Sequence, residues 1–165
     1  MKKLFMLFML LAFYISNAQA APQNCQSESH RAFDFWLGEW QVTTANDDII
    51  RKSKISLIND GCTLLEEYRT PSGYQGKSLN MYDVQTKQWH QTWTDNSGLL
   101  LILQGQFLNN QMVLEGQTLQ NEQVILNKIT WTANKDGSVR QHWQTKPAKE
   151  DNWQTAFDGL YQKVK

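Results

Sequence analysis

Turn signals recur about every dozen residues along this chain, and the stretches between them are rich in strand-forming residues. The clearest signals are Asn59-Asp60-Gly61, Pro71-Ser72-Gly73, Asn96-Ser97-Gly98, Asn109-Asn110 and Lys135-Asp136-Gly137. Short connections of this kind join antiparallel neighbours, and a long meander avoids open edges best by closing on itself. The sequence therefore predicts an all-β fold, an up-and-down antiparallel barrel of about ten strands.

One segment before the first strand has helical spacing instead. Over residues 30–37, the side chains of Phe33, Trp36 and Leu37 would lie on one side of a single short helical turn. Further along, residues 119–123 are predicted to form a loop between two strands. A barrel of this size is wide enough to hold one small ligand.

The N-terminus has the features of a secretory signal. Lys2 and Lys3 precede an apolar run of 12 residues, Leu4 to Ile15, and Ala18-Gln19-Ala20 follows as a cleavage site. The run is shorter than the roughly 20 residues that a membrane-spanning helix needs. We therefore predict a signal peptide at residues 1–20 and a single lipocalin-like barrel domain at residues 21–165, exported to the periplasm or secreted, with no membrane span after cleavage.

The charges and cysteines restrict the partners and the compartment. Without the two signal lysines, 14 basic and 16 acidic residues remain, so the exported chain has no basic field for nucleic acid. Cys25 and Cys62 are the two cysteines, and exported thiols usually oxidise. We expect a disulfide between them, which would close a loop of about 38 residues and stabilise the fold by about 3–4 kcal/mol in the chain-entropy model. Two separate thiols are the alternative.

Residues 76–98 form the most informative stretch, a predicted hairpin with its turn at residues 83–87. If Asp83 pairs with Gln88, side-chain alternation places aromatic, amide and hydroxyl groups on one face, and none of them is charged. These residues are Ser78, Asn80, Tyr82, Trp89, Gln91 and Trp93.

Aromatic walls with a few fixed polar groups are typical of small-molecule cavities. We therefore predict that this face lines a ligand site, and that Gln141 and Trp143, which repeat the same pattern, belong to it. The alternative is that the aromatic residues fill the barrel and the amides bond to one another.

Gly38-x-Trp40 follows the helical turn and opens the first strand, and this arrangement resembles the first signature of lipocalins and related calycin barrels. The resemblance implies that Trp40 packs across the closed end of the barrel with a basic side chain over it, for which Lys163 is the candidate. The chain also resembles an uncharacterised family of small secreted bacterial proteins, with a calycin-like barrel and no established activity. The matching segments are FDFWLGEW at 33–40, DGC at 60–62, residues 76–98, DGSVRQHW at 136–143 and FDGLY at 157–161.

Motifs for metal, nucleotide or nucleophilic chemistry are not found in the sequence, and we predict no metal site and no cofactor. His142 is a conceivable haem ligand, but alternation places it with Arg140 and Gln144 on the outer face. Asp95 continues the Trp93 face and is a candidate for acid–base catalysis. The alternative is that Asp95 starts the turn at residues 96–98.

Three functions are consistent with these features. The leading hypothesis is a secreted barrel that binds a small amphiphilic, aromatic or lipid-like molecule. The second is an isomerase, cyclase or hydrolase that uses a cavity carboxylate, either Asp95 or a Glu of the third strand, since burial raises a carboxyl pKa toward neutrality. The third is a filled barrel with a structural or interaction role. The sequence leaves the oligomeric state open.

Overall fold

A computed structural model describes residues 25–45 and 47–164, and the predicted signal peptide lies outside them. The described chain begins with a short helix, α1, at Glu28–Arg31 and a 3-10 turn at Asp34–Trp36. Ten strands follow: β1 Gly38–Thr44, β2 Asp47–Ile58, β3 Thr63–Arg69, β4 Gln75–Asp83, β5 Gln88–Asp95, β6 Leu100–Leu108, β7 Gln111–Gln120, β8 Gln123–Ala133, β9 Val139–Pro147 and β10 Gln154–Lys163.

Each strand pairs antiparallel with its neighbours in sequence, and β10 pairs with β1 to close the barrel. The predicted fold class is thus confirmed. The register of the β4–β5 hairpin also agrees with the prediction, because Asp83 pairs with Gln88, Tyr82 with Trp89 and Asn80 with Gln91. No helix in the described ranges is long and apolar enough to cross a membrane.

The predicted loop at residues 119–123 is wrong, because strands β7 and β8 continue into it. Only Asn121 and Glu122 connect them, and both have positive φ angles, 46° and 65°. Two such residues form the tight turn whose twist matches that of the flanking strands. The connection between β6 and β7 uses Asn109 and Asn110 in the same way, with φ angles of 52° and 63°.

The N-terminal segment closes one end of the barrel with aromatic side chains. Phe33 and Trp36 are fully buried, and their rings contact the rings of Trp89 and Trp131 at centroid distances of 5.3–5.5 Å. The indole of Trp40 donates a hydrogen bond to the Trp36 carbonyl at 2.9 Å. Aromatic groups bury more area per residue than other side chains, so a few of them close the end of the barrel.

A disulfide and a hydrogen bond attach this segment to the turn between β2 and β3. Cys25 and Cys62 form the predicted disulfide, with Cα atoms 5.0 Å apart. Arg31 donates from Nη2 to the Gly61 carbonyl at 2.7 Å. On the outside, Lys163 lies with its Nζ 5.3 Å from the centroid of the Trp40 ring, which is within the range of a cation–π contact.

Candidate functional site

A cavity of about 150 Å³ occupies the half of the barrel that faces away from the N-terminal segment. Six aromatic side chains form most of its wall, and three aliphatic side chains complete the apolar part. The aromatic residues are Tyr68, Tyr74, Trp93, Trp143, Phe157 and Tyr161, and the aliphatic ones are Leu101, Ile129 and Ala156. Three polar side chains, Glu66, Gln91 and Gln141, also line it.

Glu66 faces the cavity because of its position in β3. Successive strand residues point to opposite faces, so Leu64, Glu66 and Tyr68 face inward, whereas Glu67 points outward and pairs with Lys77 at 2.9 Å. Only 2% of the Glu66 surface is exposed. It is the single carboxyl group among the described residues that line the cavity.

Two hydroxyl groups donate to the Glu66 carboxylate. Ser53 donates to Oε1 at 3.0 Å and Ser78 donates to Oε2 at 3.1 Å, and the Tyr161 hydroxyl lies next to them. Burial raises the pKa of Glu66 to about 7, although the hydrogen bonds from the two serines oppose the shift. At neutral pH this carboxyl therefore exchanges readily between its acid and its anion.

A chain of hydrogen bonds leads to Glu66 from the neighbouring strands β4 and β5. Gln91 donates to the side-chain oxygen of Asn80 at 2.7 Å, and Asn80 donates to the Ser78 hydroxyl at 2.9 Å. Ser78 then donates to the carboxylate, so all donors point the same way. Such alignment polarises each bond in turn and favours negative charge on Glu66.

Tyr161 connects the carboxyl group to the other polar side of the cavity. It is 1% exposed, and its hydroxyl forms a short hydrogen bond to Oε1 of Gln141. Burial, with the nearby negative charge of Glu66, raises the pKa of Tyr161 well above its ordinary value. The phenol therefore stays protonated at neutral pH and acts as a fixed donor.

Asp95 lies at the rim and orients two of the aromatic walls. Its Oδ2 accepts from the Tyr74 hydroxyl at 2.7 Å and from the Trp93 indole at 3.1 Å. Its Oδ1 accepts from the backbone and side chain of Ser97 and from the Leu99 amide, so it also forms the turn after β5. Although partial burial opposes the shift, these hydrogen bonds hold its pKa well below the usual range.

These contacts favour the turn alternative for Asp95 over acid–base catalysis. An acid–base group works best with a pKa near the operating pH, whereas the Asp95 carboxylate stays ionised and engages both oxygens. The opposite strand contributes Gly76, where a Cβ atom would lie 2.2 Å from the Trp93 ring. A glycine is therefore needed there for Trp93 to lie flat against the strand.

The eight predicted site residues separate into three groups. Gln91, Trp93, Gln141 and Trp143 line the cavity. Ser78 and Asn80 are buried behind it, in the hydrogen-bond chain to Glu66. Tyr82 and Trp89 lie at the closed end, where Tyr82 packs on His30 and the Trp89 indole donates to the Ser29 carbonyl at 3.1 Å.

The physical reason for this separation is strand length. Two successive residues on the same face of a strand are almost 7 Å apart. The predicted face therefore extends from one end of the barrel to the other. Its residues beside the turn at 84–87 meet the N-terminal segment, and those beside the turn at 96–99 meet the cavity. The alternative that the amides bond to one another is also correct in part, since Gln91 and Asn80 do so.

The cavity residues that sequence reasoning did not single out are Tyr68, Tyr74, Leu101, Ile129, Ala156, Phe157 and Tyr161. Glu66 was a candidate only as one of two glutamates in the third strand. Alternation could have separated the two, because Leu64 and Tyr68 lie on the same face as Glu66 whereas Leu65 and Arg69 lie on the face of Glu67.

His142 lies on the outer face as alternation predicts, and its Nε2 is 3.0 Å from the Thr155 hydroxyl. Within residues 25–45 and 47–164, no group of three or more His, Cys, Asp or Glu side chains is placed to hold a metal ion.

Comparison with protein-family models gave no match, and a search among curated proteins gave none either. The functional argument therefore depends on the cavity and its chemistry.

Proposed function

We propose that this protein binds a small aromatic or amphiphilic molecule in the barrel cavity, as an exported binding protein. The observation that carries the proposal is the cavity itself, with six aromatic side chains around a buried carboxyl group and two amides. Its volume of about 150 Å³ is comparable to that of an engineered protein cavity that binds benzene. This size favours a ligand built on a single aromatic ring over a long lipid chain.

Export to the periplasm or the exterior is part of the proposal. Its support is the predicted signal peptide together with the Cys25–Cys62 disulfide, because such bonds persist in oxidising compartments. A calycin-like relationship is supported by the Trp40 and Lys163 contact at the closed end.

A panel of small aromatic compounds would test binding through ligand-observed NMR and through tryptophan fluorescence, to which Trp93 and Trp143 in the cavity wall contribute. We expect at least one compound to bind, and we expect Ala156→Phe to abolish its binding. Ala156 lines the cavity and is itself exposed, so a larger side chain can enter the cavity without displacing the core. Leu160→Phe, on the exposed face of the same strand, is the matched control. Equal binding by both variants would place the ligand elsewhere, and a panel with no binder would contradict the proposal.

A second candidate function is proton transfer, with Glu66 as the acid–base group. It is favoured by the raised pKa of that carboxyl group and by its position beside the Tyr161 phenol. The same NMR samples, prepared in D₂O with small ketones, would report it as exchange of carbon-bound protons next to the carbonyl. Exchange that is lost in Glu66→Gln would support an enzyme. A ketone that binds without exchange would support a binding function without proton transfer.

A further inference from the structure

The charged groups around the cavity determine which ligands it can hold. Of the described residues that line it, Glu66 is acidic and none is Lys, Arg or His. Arg51 lies near Tyr68, but both of its terminal nitrogens contact Asp47, at 2.9 and 2.7 Å. A carboxylate or phosphate in the cavity would therefore meet negative charge without a partner, at a high desolvation cost.

The hydrogen bonds at Glu66 leave room for a further donor. A carboxylate offers about four acceptor positions, and Ser53 and Ser78 occupy two of them. The Tyr161 hydroxyl donates its proton to the oxygen of Gln141, the other acceptor on that side of the cavity. A ligand in the cavity can therefore donate a hydrogen bond to a free position of Glu66.

The aromatic residues near Glu66 form walls that meet at steep angles. The ring of Tyr68 lies 6.2 Å from that of Trp93 and 6.5 Å from that of Phe157, at interplanar angles of 68° and 87°. Tyr74 adds a third ring at 6.3 Å and 75°. The rings therefore line the cavity from several directions, and an organic cation over the face of any of them is attracted by its ring.

We propose that the cavity binds a small organic amine in its protonated form, with the ammonium group hydrogen-bonded to Glu66 and the organic part between Tyr68, Trp93 and Phe157. This inference rests on the proposed binding function and specifies the class of ligand. It follows from the position of the one carboxyl group, from the absence of cationic side chains in the described lining and from the aromatic walls.

Glu66 titrates alone among the groups that face it. Ser53 faces it from β2, Ser78 from β4, and Tyr68 and Tyr161 are the adjacent phenols. Burial raises the pKa of Tyr68 to about 12, so neither phenol ionises near neutral pH. Because the pKa of Glu66 is about 7, about tenfold less of it is ionised at pH 6 than at pH 8.

Isothermal titration calorimetry with benzylamine, benzyl alcohol and benzoate tests the inference, since the three probes share a ring and differ in charge. At pH 8 we expect benzylamine to bind at least about tenfold more tightly than benzyl alcohol, as a charge-assisted bond would give, and benzoate not to bind. Between pH 8 and pH 6 the affinity for benzylamine should fall about tenfold, while that for benzyl alcohol should stay nearly constant. Glu66→Gln should remove both the preference and the pH dependence.

The outcomes separate the two proposals. Equal affinity for benzylamine and benzyl alcohol, or tighter binding of benzoate, would overturn the amine inference and leave the binding function intact. Binding of none of the three probes, together with a compound panel without a binder, would overturn both. If a thermal melt shows that Glu66→Gln does not fold, the pH series on the unaltered protein still tests the amine inference, because it needs no variant.

Discussion

At the scale of single residues, the unusual feature is a buried carboxyl group in a largely aromatic interior. Transfer of a carboxylate from water into a protein interior costs free energy. The pKa of a buried carboxyl group is therefore commonly raised, so that the group is neutral over a wider pH range. The hydroxyl groups of Ser53 and Ser78 reduce the cost at Glu66 but do not cancel it, so its pKa is about 7 instead of 4.5. A group retained in spite of its cost to stability is a candidate for function.

The pH dependence of stability should reveal this carboxyl group. Because the pKa of Glu66 is higher in the folded than in the unfolded chain, the folded state binds the proton more tightly. The stabilisation that comes from this tighter proton binding is fully present below about pH 4.5 and is lost as the pH rises to about 7. The free energy of unfolding should therefore decrease by about 3 kcal/mol over this range. Urea titrations from pH 4.5 to pH 8 would measure this decrease.

Glu66→Gln should flatten that profile, since an amide does not titrate. Glu67→Gln is the matched control, because Glu67 is the neighbouring residue on the outer face and pairs with Lys77. An identical decrease in stability in Glu66→Gln and in the unaltered protein would show that another group causes it.

At the scale of elements, the N-terminal segment acts as a plug with one covalent attachment. The four-residue helix α1 is too short to be stable alone. Its position depends on the burial of Phe33 and Trp36, on the Arg31 contact with Gly61, and on the disulfide to the turn after β2. The plug supports the barrel at the end opposite to the cavity.

Replacement of both cysteines by serine should lower the free energy of unfolding by about 3–4 kcal/mol, because the unfolded chain regains the entropy of an open loop. Urea denaturation of the oxidised protein and of the double variant would measure the difference. Reduction of the unaltered protein with dithiothreitol is the control, and it should reproduce the loss. A loss confined to the variant would indicate damage from the serines instead.

At the scale of the whole molecule, closure between β1 and β10 determines whether a cavity exists. Five residue pairs join the two strands, from Thr44 with Gly159 to Trp40 with Lys163. Tyr161 also brings its hydroxyl to Glu66 from β10. Without this pairing, β10 and β1 would be open edges, which invite association with other chains.

A chain that ends at Asp158 should therefore lose cooperative unfolding and should aggregate. Circular dichroism melts and size-exclusion chromatography would measure both effects. Leu160→Ala is the control, because it removes a partly exposed side chain and keeps the backbone pairing. A soluble, cooperatively folded truncated chain would show that closure is not required.

Local patterns were enough to predict the barrel. Turn residues such as Asn59-Asp60-Gly61 constrain the backbone by their own conformations, and alternation fixes which residues share a face, as the pairing of Tyr82 with Trp89 confirms. The β7–β8 turn was missed, because Asn121 and Glu122 lack the glycine that usually indicates a two-residue turn.

The sequence alone determined the fold class, the hairpin register and the disulfide partners, because these depend on short-range conformation, on period-two alternation and on a single possible pairing. Only the tertiary structure decided the site. Residues from six strands and a turn surround the cavity, and nothing in the chain indicates which distant strands meet across a lumen. The character of Glu66 depends on Ser53, Ser78 and Tyr161, which closure of the barrel brings together, so its pKa is a property of the folded molecule.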